Sequence, residues 1–340
     1  MPRPPYDPQL ESLAKAASEW IFTRPEEIRK IANADTAASV LSRHPHLTHT
    51  EHYITTADGA TATPSPITLS VFQQSTTSSS PSKPRPAVYI IHGGGQVAGN
   101  RFSGLATLLT YFGGIDIVAI AVEYRLAPEH PAPVALNDAY DGLIWTVEHA
   151  ADLGIDPLRV LIMGGSGGGP IAAGCAMLAA RNKHAAAHAH AHVHPQPLAL
   201  MLLTPMLDDR SSTISAQQFE HSGPWCGTTN RMAWECVLGS NRGTADVNEL
   251  IAPARATDLT GLPPTFIDAG EAEVFRDEAV AFASVLWKCG VSAELHVWKG
   301  GFHGFEMDFP GVPVGKKADV ALASIAAKKS WIRRIFRVDE

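Results

Sequence analysis

A series of short, almost wholly apolar runs limits most strongly what this chain can fold into: residues 87–91, 117–122, 160–163, 198–203, 265–269 and 294–298. A strand that is apolar on both faces has no side left for solvent, so it belongs in a parallel sheet covered by helices. Residues 134–151, 170–181, 275–289 and 317–336 carry helical patterns between and after those runs. Strand and helix alternating in this way predict an α/β layer sandwich. The 340 residues suffice for one large core of this class. No run approaches the roughly 20 apolar residues of a membrane-spanning helix, so no membrane partner is expected.

The rhythm is absent in three places. The first 50 residues read as amphipathic helix, with Leu10, Leu13, Ala14, Ala17, Trp20 and Ile21 on one face. Residues 67–72 alternate like a half-exposed strand, and the Ser- and Pro-rich stretch 73–86 reads as a flexible hairpin loop. Residues 206–252 carry Phe219, Trp225, Met232 and Trp234 without a clear strand, as an inserted lid would. The expected organisation is therefore a helical cap segment at 1–50, a core at 51–205 and 253–340, and a cap insertion at 206–252. Residues 183–195 hold His184, His188, His190, His192 and His194. That spacing is compatible with metal binding, but without a nearby carboxylate or Cys it reads as an exposed low-complexity insert.

A formal charge of −7 and a pI near 6.1 argue against nucleic-acid partners, which require a concentrated basic surface. The opening MPRPPYDPQL lacks the apolar stretch of a secretory signal, and Cys175, Cys226, Cys236 and Cys289 form no CxxC pair. A reducing, cytoplasmic setting is the expectation.

Two glycine-rich turns carry the chemistry, and both follow buried strands. Gly164-Gly165-Ser166-Gly167-Gly168 lies between the run at 160–163 and a helix, the setting of a GxSxG elbow. So sharp a turn needs small residues at 164 and 168, and it lifts Ser166 to the C-terminal edge of the sheet. A phosphate loop is disfavoured because no Lys follows where a Walker loop needs one. The second turn, His92-Gly93-Gly94-Gly95, lets backbone N–H groups converge without side chains in the way. Gly94, Gly95 and Gly167 are the candidate oxyanion donors, while His92 braces its loop.

A nucleophilic Ser needs a base and the base an orienting acid. His303, set between glycines in the loop after the run at 294–298, is the candidate base. Glu271, Glu273 and Asp277, after the run at 265–269, all qualify as the acid by type. Asp277 is expected inside the next helix and Glu271 to point away, which favours Glu273.

With these residues in view, the chain resembles the microbial esterase branch of the hormone-sensitive lipase family of α/β-hydrolases. The likeness rests on HGGG at 92–95, EYRLAPEHPAP at 123–133 and GxSxG at 164–168. DLTGLPPTFI at 258–267, RDE at 276–278 and HGF at 303–305 support it. The resemblance implies the α/β-hydrolase fold with a helical cap, no metal or organic cofactor, and a small-molecule ester substrate with a short or medium acyl chain. The implied activity is serine carboxylic-ester hydrolysis, and the implied acid is Glu273, which occupies the family's Asp position. Acyl transfer to an alcohol, amine or thiol uses the same triad. A non-catalytic receptor on this fold, like the gibberellin receptors, lacks the base that His303 provides. The pattern leaves room for a homodimer.

Three departures from the family set further expectations. Gly165 and Gly167 replace the usual Asp and Ala, which predicts a looser elbow. Glu273 in place of Asp adds a methylene that its loop must absorb. Gln96, where an aromatic or aliphatic residue is common, predicts a more polar floor to the site.

Overall fold

The computed structural model describes residues 1–17, 20–55, 66–75, 83–185, 194–308 and 317–338, with side chains of 183–185 excluded. Eight strands form one sheet among them: β1 (Leu47–Thr55), β2 (Pro66–Gln74), β3 (Arg85–Ile91), β4 (Val118–Glu123), β5 (Ile155–Gly165), β6 (Ala199–Leu203), β7 (Thr265–Gly270) and β8 (Ala293–Trp298). Their order is β1-β2-β4-β3-β5-β6-β7-β8. The β1–β2 and β2–β4 pairs are antiparallel and the other pairs parallel. The six apolar runs lie in the six parallel strands, and five of those runs are almost entirely buried.

Successive residues of a strand point to opposite faces, and two cores result. Tyr89, Ile91, Ile162, Ile267 and Ala269 pack against α5 (Val134–Glu148), α7 (Gly168–Ala185) and α10 (Arg276–Lys288) on one face. Val88, Ile90, Met163 and Phe266 pack on the other face with Val40 of α3 (Ala37–Arg43) and Trp331, Ile332 and Phe336 of α11 (Asp319–Phe336). A separate apolar cluster joins Ile28 of α2 (Pro25–Ala32) to Phe219, Trp225, Met232, Trp234 and Val237 of the 206–252 stretch. That stretch contains α8 (Ile214–Gln218) and α9 (Gly227–Leu238) but no strand. Among the described residues, no helix is long and apolar enough to cross a membrane.

Five expectations need correction or limits. The first 50 residues are not all helical, because β1 begins at Leu47. Its sequence LTHTEHYIT is mostly polar, as an outermost strand can be when solvent covers most of its surface. Residues 73–86 do not form a hairpin: Gln73 and Gln74 end β2, Arg85 and Pro86 begin β3, and β4 lies between those strands. β2 is buried along most of its length, and β8, at the sheet edge, is only partly buried, with Val297 40% exposed. The His-rich stretch falls largely outside the described residues.

Candidate active site

β5 runs straight into the turn that carries Ser166, and α7 starts two residues later. Ser166 has φ +52°, in the left-handed region that non-glycine residues adopt at strained functional turns. Three backbone bonds fix it: Ser166 N–H donates to Leu203 O at 2.9 Å, and Ser166 O accepts from Gly169 and Met206 N–H at 2.9 and 3.1 Å. A Cβ at 164 would stand 2.3 Å from Gly168 O, and one at 168 would stand 2.3 Å from Ile91 O. The elbow therefore closes only with glycine at both positions.

Gly167 corrects the expectation of a looser turn. A Cβ there would meet Gly95 N at 2.5 Å and Gln96 N at 2.7 Å. The extra glycine lets the two glycine-rich turns approach each other closely. Among the described residues, the N–H groups of Gly94, Gly95 and Gly167 have no protein acceptor. The 92–95 turn is braced from below. His92 is buried, stacks on Tyr124 at 4.1 Å and donates through Nδ1 to Gly93 O at 2.8 Å; Tyr124 Oη donates to His92 O at 2.8 Å. Burial lowers the pKa of His92 to about 4, so it stays neutral. The EYRLAPEHPAP motif thus supports the turn, and Arg125 adds a paired contact to the buried Asp138 at 2.7 and 2.9 Å.

His303 follows β8. Its Nε2 lies 2.9 Å from Ser166 Oγ, and its Nδ1 lies 2.7 Å from Glu273 Oε2. A carboxylate can only accept, so Nδ1 holds the proton and Nε2 is free to accept from the Ser166 hydroxyl. Glu273 is almost fully buried, and its other oxygen accepts Gly270 N–H at 2.6 Å. The longer side chain thus still meets the imidazole, with its second oxygen held by the backbone. The other carboxylates lie elsewhere: Glu271 accepts Gly300 N–H at 3.1 Å, and Asp277, within α10, accepts Ser215 N–H at 2.7 Å from the start of α8. Glu278, the last residue of RDE, accepts Leu207 N–H at 2.6 Å, and burial pushes its pKa up.

A mostly apolar cavity of about 500 Å³ opens at Ser166 and His303. Trp20, Ile31, Asp35, Leu108, Trp225 and Met307 contribute to its walls. The α/β-hydrolase fold profile matches residues 88–307. The chain belongs to the hormone-sensitive lipase family of α/β-hydrolases.

Among relatives, the chain is 32% identical over 226 residues to carboxylesterase NlhH of Mycobacterium tuberculosis, a match covering 65% of this chain and 66% of that protein. The matched stretch is 30% identical to esterase LipI of the same species, again over 65% of each chain. The chain thus aligns with slightly under two thirds of the length of these curated relatives. In solved structures the likeness extends further. A bacterial heroin esterase superposes with a TM-score of 0.81 at 30% identity over 98% of both chains. Esterase LipW of Mycobacterium marinum gives 0.76 at 28%, also over 98% of both.

Within this family member, the expected floor and lid residues separate. Gln96 does not line the main cavity; it borders a smaller one with Ala132, Pro133 and Leu136. Of Phe219, Trp225 and Trp234, only Trp225 reaches the main cavity, and the other two are buried in the apolar cluster shared with α2. Trp20, Asp35 and Met307 carry no motif, because a wall is assembled from segments far apart in sequence. Glu306 also lines the cavity and is tied to Lys328 of α11. That tie has a sequence signal: Lys328 falls on the helix face that carries Ala321, Trp331 and Ile332.

Proposed function

We propose that the protein is a serine carboxylic-ester hydrolase in which Ser166, His303 and Glu273 form the catalytic triad. The continuous hydrogen-bond line from Ser166 Oγ through the imidazole to the buried Glu273 carries this reading. His303 Nε2 takes the hydroxyl proton as Ser166 Oγ attacks the ester carbonyl carbon. The carbonyl oxygen becomes an oxyanion and accepts from the three unpaired N–H groups of Gly94, Gly95 and Gly167. The imidazolium then protonates the departing alkoxide, leaving an acyl group on Ser166. Water, deprotonated by the same imidazole, releases the acid and restores the serine. Glu273 holds the tautomer and stabilises the imidazolium in each half-reaction.

The substrate class follows from the cavity, whose size is in the range of small-molecule pockets and whose walls are mostly apolar. Short and medium acyl esters fit this description, in keeping with the esterases and carboxylesterases to which the chain is similar. The N-terminal helices and residues 206–252 form the cap in this proposal, supported by their shared apolar cluster. A cytoplasmic setting is consistent with four unpaired cysteines. The test is a series of p-nitrophenyl esters from acetate to decanoate. The expected result is turnover concentrated in the shorter half, with Ser166→Ala reduced by about 10⁴-fold or more. Turnover unchanged by Ser166→Ala overturns the proposal.

A further inference from the structure

A largely buried polar cluster around Lys328 lies outside the triad. Lys328, with no exposed surface, bonds Asp268 Oδ2, Glu306 Oε1 and Oε2 at 2.9 and 3.0 Å, and Ser324 Oγ at 2.6 Å. Tyr111 Oη donates to Glu306 Oε1 at 2.9 Å, Ser324 Oγ to Glu306 Oε2 at 2.9 Å, and Trp298 Nε1 to Asp268 Oδ2 at 3.0 Å. Burial pulls the pKa of Lys328 down, but the attraction of Asp268 and Glu306 outweighs it and the net direction is up. The ammonium is thus kept charged between two carboxylates.

The position of those carboxylates gives the cluster its meaning. Asp268 is on β7, two residues before Gly270, whose N–H holds Glu273. Glu306 is three residues after His303, in a turn where Phe305 N–H donates to Phe302 O and Met307 N–H to Gly304 O at 3.1 and 2.8 Å. Gly300 and Gly304, on either side of His303, both have positive φ. The backbone of this segment is tied at Gly300 and Gly301, which accept from Asp7 N–H and Ala272 N–H at 2.9 Å each, and beyond His303 the Glu306 side chain carries the link to the strand of Asp268 through Lys328. Stability alone does not account for the arrangement, since apolar replacement of a buried ion cluster is often neutral or stabilising.

We propose that Lys328 is a positioning residue that ties the strand leading to the triad acid to the turn carrying the triad base, fixing the distance between Glu273 and His303. The inference rests on the triad reading above. Lys328 touches no substrate and acts only through Asp268 and Glu306. Glu306 also borders the catalytic cavity, so the cluster supports the site from directly beneath.

The decisive variant is Asp268→Asn/Glu306→Gln/Lys328→Met, which removes all three charges together and leaves no unpaired buried ion. With fold confirmed by circular dichroism, kcat for p-nitrophenyl butyrate is expected to fall about tenfold or more while KM stays within about threefold. The far-downfield proton resonance of the His303–Glu273 hydrogen bond should broaden or vanish. Ser324→Ala keeps every charge but removes a bond to both Glu306 and Lys328. It is expected to lower kcat about two- to fivefold with KM unmoved. Unchanged kcat and an intact resonance in the folded triple variant, or unchanged kcat in Ser324→Ala, overturns the proposal. An unmodified protein without esterase activity would contradict the hydrolase reading itself, a separate outcome.

Discussion

The two halves of the site are held in different ways. On the serine side, two turns follow the ends of neighbouring strands β3 and β5, and backbone against backbone sets the geometry. On the histidine side, backbone bonds from Asp7 and Ala272 hold Gly300 and Gly301 of the loop after β8, and side chains from other elements add the rest: Glu271 on Gly300, Glu273 on His303, and Lys328 on Glu306. The first half leaves no room for a side chain at Gly164, Gly167 or Gly168, and its further support comes from Leu203, Met206 and Tyr124. The second depends on carboxylates, and of these Asp268 and Glu306 show their part only in three dimensions. A catalytic group can be built from local sequence or from long-range tethers, and this site uses one of each.

The comparison can be broken at either half. The largest expected effect is on the tethered side: Glu273→Gln should lower kcat by roughly 10³-fold or more, because the amide no longer enforces the reactive tautomer. Glu271→Gln and Asp277→Asn should each stay within about tenfold in steady-state kinetics, since neither touches the imidazole. Equal losses in all three would dissolve the assignment of the acid. On the glycine side, Gly167→Ala puts a methyl 2.5 Å from Gly95 N. A loss of about a hundredfold in kcat is expected as an oxyanion donor is displaced. Gly165→Ala is the control: its Cβ would find nothing nearer than 3.9 Å. Activity within about twofold of the parent is the expected result for that change.

The smallest effect is one of stability and concerns the brace beneath the glycine turn. Burial lowers the pKa of His92 from 6.5 to about 4. The unfolded chain then binds a proton near pH 6.5 that the folded chain refuses, so stability falls as pH drops from about 6.5 toward 4. Between pH 7 and pH 5 this amounts to about 2 kcal/mol. Burial also lowers the pKa of His49 and His52, so urea titrations should show a loss from pH 7 to pH 5 that is about 2 kcal/mol larger in the parent than in His92→Gln. An identical pH dependence in both would mean that His92 is not held neutral by burial.

The same contrast explains what could be read from sequence. The parallel strands, the elbow and the HGGG turn were legible because runs of apolar residues and closely spaced glycines are local patterns. His303 was legible for its position in a glycine-flanked loop, and Glu273 because the candidates close behind β7 narrow to Glu271, Glu273 and Asp277. β1 was not, since an edge strand needs few apolar residues. The course from β2 to β3 was not either, because β4 enters the sheet between them from later in the chain. Gly167 was visible as a departure, but its consequence was read with the wrong sign: a missing methyl permits close approach as readily as it permits motion. The cavity walls and the Lys328 cluster combine residues as far apart as Tyr111 and Lys328, and no spacing rule joins them.

The central claim is that Ser166, activated by His303, forms the acyl-enzyme. The most direct measurement is reaction with a fluorophosphonate or p-nitrophenyl phosphonate probe, followed by peptide mass spectrometry, on the parent and on His303→Ala. The account predicts a single adduct on Ser166 in the parent, matched by loss of ester hydrolysis, and labelling slowed about a thousandfold or more in His303→Ala. No adduct on Ser166 while ester hydrolysis proceeds, or labelling at the same rate without His303, would contradict it.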